Sequence, residues 1–109
     1  MSKVIVGTGS YLPERVVTNA EIEAMGAGFD RERAGKGLEE WAWEHMGVRT
    51  RHRAAPGEGC SDMGARAAER ALADAGLSAA DLGLIVLSTF SADHRTPSSA
   101  ALVQAKIGA

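Results

Sequence analysis

Few residues in this 109-residue chain combine a reactive type with a suggestive spacing. The basic cluster Arg49, Arg51, His52 and Arg53 could grip a phosphate through paired guanidinium bonds, or it could be a strand edge defended by charge. Cys60, the one cysteine, lies in a glycine-rich stretch ahead of a helical pattern, where a helix dipole would favour a thiolate. No basic residue sits beside it, so a small capping-region residue is the simpler reading. His94 falls in a loop after an apolar run, where α/β folds place ligands, although a lone loop histidine is usually just solvated. Trp41 shares a helical face with Leu38, a spacing more often found in cores than in ligand stacks. Gly7-Thr8-Gly9 fails as a dinucleotide loop, because its third glycine would fall at Leu12 and Pro13 follows where a helix should begin.

These groups must be carried by recognisable elements. Val4-Ile5-Val6 reads as a strand broken by Gly7 and Gly9. Thr18 and Glu21 form a capping box for a short helix from Asn19 to about Met25, with Val17 and Ile22 placed as a hydrophobic staple. Residues 26–37 carry four glycines and five charges and read as a mobile surface loop. Leu38–Met46 is helical and stops at Gly47; it sets Trp41 and His45 on one face and Trp43 on the other. Residues 48–53 alternate like a strand, with Arg49, Arg51 and Arg53 to one side. A long alanine-rich helix capped by Ser61 or Asp62 runs to Ala75 and ends at Gly76. Residues 77–81 read as a single capped turn. Leu84–Ser88 has the pattern of a strand buried on both faces of a parallel sheet. Thr96-Pro97 supplies an N-cap and a first-turn proline for a last helix ending at Gly108.

Strand, helices, strand and helix in that order predict an α/β architecture with at least one crossover. Two or three strands do not close a sheet, so the chain is expected to be part of a larger domain or to be completed by another chain. With 12 Lys+Arg against 14 Asp+Glu the formal charge is −2, which gives no general attraction for nucleic acid. The apolar run Leu84–Leu87 is far short of the ~20 residues that span a bilayer, so no membrane association is expected and the protein should be soluble and cytoplasmic. His45, His52, His94 and Cys60 are too scattered for a metal site, and none is predicted. No repeat or low-complexity segment occurs.

Taken in order, I-V-G-T-G-S-Y-L-P (5–13), T-N-A-E-I (18–22), E-E-W (39–41), G-V-R-T-R-H (47–52), M-G-A-R-A-A-E-R-A-L-A-D-A-G-L (63–77), D-L-G-L-I-V-L-S-T (81–89) and P-S-S-A (97–100) resemble the N-terminal part of β-ketoacyl-acyl-carrier-protein synthase III. The resemblance covers almost the whole chain except 26–37, which is read as an inserted surface loop. It implies that residues 1–109 are the N-terminal segment of a thiolase-like αβαβα domain, incomplete in this chain, from an enzyme that dimerises. It further implies an acyltransferase that takes an acyl group from a coenzyme A or carrier-protein thioester onto a cysteine. The enzyme then condenses that group with a malonyl carrier protein, in fatty-acid or polyketide initiation and without a resident cofactor. A synthase-III-like transferase acting on a hydroxyl or amine, and a non-catalytic ketosynthase-like subunit, remain alternatives. The family's Cys-His-Asn set is expected in the remainder of the enzyme chain; Cys60 does not occupy the nucleophile's place, so this chain supplies no catalytic residue. Trp41 matches the tryptophan that stacks on the adenine of coenzyme A. His45 stands where the family usually has an arginine, and Gly37 where a hydroxyl often contacts the adenine, which leaves both donor types open. Arg49 and Arg51 match a family motif whose arginines either bind phosphate or brace the fold. Thr96 matches the residue that crosses the dimer interface to line the partner's acyl pocket, where its small volume implies an acyl group longer than acetyl or branched.

Overall fold

The computed structural model describes residues 2–109, which fall into two compact units. One unit is Pro13–Ala55 and the other combines the residues up to Leu12 with Pro56–Ala109.

In the first unit, β1 (Arg15–Thr18) leads directly into α1 (Asn19–Ala24). The expected capping box joins them. The Thr18 N–H donates to Glu21 Oε2 at 2.8 Å and the Glu21 N–H donates to Thr18 Oγ1 at 3.2 Å, an exchange that satisfies two orphan donors and is worth about 1 kcal/mol. Within 26–37 one helical turn, α2 (Arg31–Ala34), forms between a side-chain cap from Asp30 and a left-handed Gly35. Helix α3 (Leu38–Met46) ends on Gly47 at φ 64°, as its sequence predicts. β2 (Thr50–Arg53) returns antiparallel to β1, with Arg15 opposite Arg53 and Val17 opposite Arg51. Val17, Leu38 and Ala42 form the small apolar core.

The second unit is organised on α4 (Cys60–Ala75) and α5 (Ser99–Ile107), which pack against one another. Ala65 and Val103 are buried between them, and Gly64 lets α5 approach: a β-carbon there would lie 3.2 Å from Val103 Cγ2. Residues 4–9 run along α4 so tightly that a β-carbon at Gly7 would sit 2.6 Å from the Ala71 carbonyl oxygen, and one at Gly9 would strike Ala67 O and Ala71 N. Small residues on both sides therefore set the separation of backbone and helix. The Thr8 N–H to Asp74 (2.9 Å) and the Arg70 guanidinium to the Ser10 carbonyl (2.6 Å) fasten the segment in place. A single 3-10 turn at Ala79–Asp81 is capped by Ser78 and Asp81.

Several expectations are corrected here. The ladder β1–β2 is the one sheet among the described residues. Val4–Val6 and Leu84–Ser88 take no regular secondary structure and hydrogen-bond to no neighbouring strand, so neither forms the expected parallel sheet. The second run is not buried on both faces: Ile85 and Leu87 are half-buried, whereas Leu84 and Val86 are 79% and 84% exposed. Strand structure needs backbone hydrogen bonds to a partner, and among the described residues none joins either segment to another. Helix α4 begins two or three residues earlier than expected, with Gly59 as N-cap and Asp62 accepting the Gly59 N–H. No helix of the described residues is long and apolar enough to cross a membrane.

The close approach at Gly9 yields a direct test. Gly9→Ala should destabilise the protein by roughly 1–3 kcal/mol through overpacking against α4. Gly83→Ala, at a site with open space around it, should change little. Chemical denaturation of the two variants reads the difference, and equal effects would contradict the packing account.

Candidate functional site

Helix α3 carries the aromatic site. Its first turn has no side chain at the N-cap, since Gly37 occupies that place. The carboxylate of Glu23 on α1 fills the role, with Oε2 accepting the Leu38 N–H at 3.0 Å and Oε1 accepting Arg31 Nη1 at 3.2 Å. Lys36 reaches forward to Glu44 at 2.6 Å. That hydrogen bond, with the attraction of Glu44 and Glu40, raises the Lys36 ammonium above the ordinary lysine range and lowers the Glu44 carboxyl. The other end of α3 is held by Asn19, fully buried, whose amide donates to the Val48 carbonyl (2.8 Å) and whose oxygen accepts Arg51 Nη1 (2.5 Å). α1 thus grips both ends of α3.

On this framework Trp41 and His45, one helical turn apart, stack with ring centroids 4.6 Å apart and planes 14° from parallel. The His45 Nδ1–H donates to the Trp41 carbonyl at 2.8 Å, which fixes the imidazole over the indole. Phe29 stands beside Trp41 at 6.1 Å with a 59° tilt. Trp41 is half-buried and His45 exposed, so the core position that periodicity favoured for Trp41 is only partly realised. Arg49 does not share an edge with Arg51 and Arg53. It precedes β2, and its guanidinium lies 4.1 Å over the ring of Trp43, a contact worth about 0.5–1 kcal/mol at an exposed site. Arg51 is committed to Asn19, and Arg53 reaches Met25 Sδ at 3.6 Å. The basic cluster is therefore dispersed, and His52 is tied to the Pro13 carbonyl.

Thr96 belongs to the other unit. It is exposed, precedes a cis peptide bond to Pro97, and is not the N-cap of α5. Ser98 takes that role through Ala101 N–H at 3.3 Å; the Thr-Pro pair resembles a cap and first-turn proline but lies two residues too early. The loop bearing Thr96 is held by Asp93, whose Oδ2 accepts the Ser61 N–H at 2.9 Å and the Ser99 hydroxyl at 3.2 Å. Partial burial works to raise the Asp93 carboxyl, but these donors prevail and hold it below its usual range. Nearby, Lys106 donates to Ser61 Oγ (2.8 Å) and Asp62 (2.5 Å), and with the Gly59 N–H it lowers the Asp62 carboxyl. A β-carbon at Gly59 would meet Asp93 Oδ1, so any side chain there would force that carboxylate to shift. His94 borders a cavity of about 470 Å³ beside this cluster. Cys60 is half-buried, with its thiol 3.4 Å from Thr89 Oγ1. No group of three or more potential metal ligands occurs among the described residues.

Asn19, Glu23 and Asp93 escaped the sequence reading. Their partners lie 6 to 32 positions away, beyond a single helical turn, so no local pattern marks them.

No family model matches the chain. It is 48% identical over 105 residues to a β-ketoacyl-[acyl-carrier-protein] synthase III of Ruegeria pomeroyi, a match that covers 96% of this chain and 30% of that relative. Among solved structures, it superposes on the 3-oxoacyl-[acyl-carrier-protein] synthase III of Aquifex aeolicus with TM-score 0.80 at 36% identity, covering 95% of this chain and 30% of that one. A priming β-ketosynthase of a polyketide biosynthetic pathway matches with TM-score 0.80 at 33% identity, covering 95% of this chain and 28% of that one. The chain thus spans about 30% of the length of the curated relatives it matches.

The carboxylates at Asp62 and Asp93 predict an acid dependence. Both are lowered in the folded state, so the unfolded chain binds more protons between the lowered and ordinary values, and stability rises with pH through that window. The contribution is complete above the ordinary carboxylate range and is lost as pH falls through the folded values. Thermal unfolding from about pH 6 to about pH 2 should show this loss, and Asp93→Asn should flatten it; an unchanged slope in the variant would contradict the assignment.

Proposed function

We propose that this chain, which is similar in sequence and fold to a segment of β-ketoacyl-acyl-carrier-protein synthase III, works as the N-terminal portion of a condensing acyltransferase. The observation that carries this reading is the 48% identity over 96% of the chain, supported by a superposition at TM-score 0.80 on a solved synthase III. In this reading a thioester donor passes its acyl group to a cysteine of the complete enzyme and leaves as a free thiol. Loss of carbon dioxide from a malonyl carrier protein then generates the carbanion that attacks the acyl-enzyme. None of that machinery lies in residues 1–109; the segment contributes to the binding of the donor. Trp41 and His45 are its aromatic contacts, and Arg49, held over Trp43, is the nearby cation. Residues 26–37 are an insertion that brings Phe29 beside Trp41. The enzyme is a soluble cytoplasmic homodimer serving fatty-acid or polyketide initiation, and Thr96 lines the acyl pocket of the partner subunit.

An assay of the complete polypeptide with acyl thioesters and malonyl carrier protein tests the reading: formation of a β-ketoacyl product is expected, and its absence with every donor would refute it. In that enzyme Thr96→Phe should reduce kcat/KM for medium-chain donors far more than for acetyl, because a phenylalanine overfills the pocket. Thr96 caps no helix, so equal losses for short and long donors would remove it from the pocket.

A further inference from the structure

We infer that His45 sets donor specificity by occupying the indole face of Trp41, so that the site selects a pantetheine thioester without an adenine nucleotide, the form borne on a carrier protein. The inference rests on the proposed function and names the donor class of that same site.

Two independent observations support it. The first is steric. The imidazole lies over the Trp41 ring at 4.6 Å and 14°, the arrangement a purine would need to adopt on that face. It is fixed there by its hydrogen bond to the Trp41 carbonyl, and it is the exposed member of the pair. A base approaching from solvent therefore meets His45 first. Because the carbonyl can only accept, Nδ1 carries the hydrogen of that bond, and the ring is held by it over the indole. Phe29, tilted at 6.1 Å, further encloses the indole.

The second observation is electrostatic. Helix α3 carries Glu39, Glu40 and Glu44, and the neighbouring Lys36 is already engaged by Glu40 and Glu44. Coenzyme A presents a pyrophosphate and a further ribose phosphate, whereas a carrier-borne arm presents one phosphodiester. Carboxylates on the helix that bears the ring pair repel the first more than the second.

The test compares acyl-coenzyme A with acyl-pantetheine of the same chain length in the complete enzyme, with binding of adenosine 3′,5′-bisphosphate measured by calorimetry alongside. His45→Ala should raise the ratio of kcat/KM for acyl-coenzyme A over acyl-pantetheine by about two- to tenfold, the equivalent of one aromatic pair, and should tighten bisphosphate binding similarly. His45→Phe, which keeps a ring on Trp41, should leave the ratio low. The inference is overturned if His45→Ala lowers the ratio or weakens bisphosphate binding, which would make His45 part of a nucleotide site. It is equally overturned if the alanine variant changes neither quantity, or if the phenylalanine variant behaves like alanine. Should the unmodified enzyme transfer acyl groups from neither donor, the proposed function fails, while the calorimetry still reads whether His45 covers the ring.

Discussion

The buried amide of Asn19 is the constraint on which the aromatic unit depends. One side chain ends the freedom of three elements at once: it begins α1, holds the chain just past α3 through the Val48 carbonyl, and fixes β2 through Arg51. With no exposure to water, it has no alternative partner, and a lost bond would leave a buried polar group unpaired at a cost of about 1–3 kcal/mol. A unit of 43 residues whose apolar core is Val17, Leu38 and Ala42 cannot rely on hydrophobic burial alone. Asn19 and Glu23 together supply the specificity that such a core lacks, and they hold the helix on which Trp41 and His45 stack.

The second unit solves a different problem by different means. There the backbone of residues 7–9 lies against α4 because neither side has bulk: glycine faces Ala67, Ala71 and Ala75. Ile5, Leu84 and Val86 are exposed on this unit. The loop that follows is held instead by charge and hydroxyls, with Asp93 bridging the starts of α4 and α5. Thr96 therefore sits in a loop fastened at Asp93 and again at Ser98.

What the sequence disclosed follows from the range of the interactions involved. Thr18 with Glu21, and the glycines at 47, 76 and 108, act within one helical turn, and the structure has them as their spacing predicts. The helical spacing of Trp41 and His45 likewise placed both on one face. Their stacking on one another could not be read, because a four-residue spacing fits either a shared ligand face or a ring pair. Leu84–Ser88 has strand composition, but a ladder depends on a partner that composition cannot supply. Thr96-Pro97 misled because an extended threonine before proline has the same signature ahead of a cis bond as ahead of a helix. The resemblance to synthase III, carried by short motifs in fixed order, survived comparison because it did not depend on any of these local readings.

The central claim is that the imidazole of His45 covers the indole of Trp41 and thereby decides what that ring can bind. Proton NMR of the complete protein reads this directly through the ring current of the indole. The account predicts that the His45 Hδ2 and Hε1 resonances lie upfield of those of His52 and His94 and move to ordinary positions in Trp41→Leu. His45 resonances at ordinary positions in the unmodified protein, unaffected by Trp41→Leu, would contradict it.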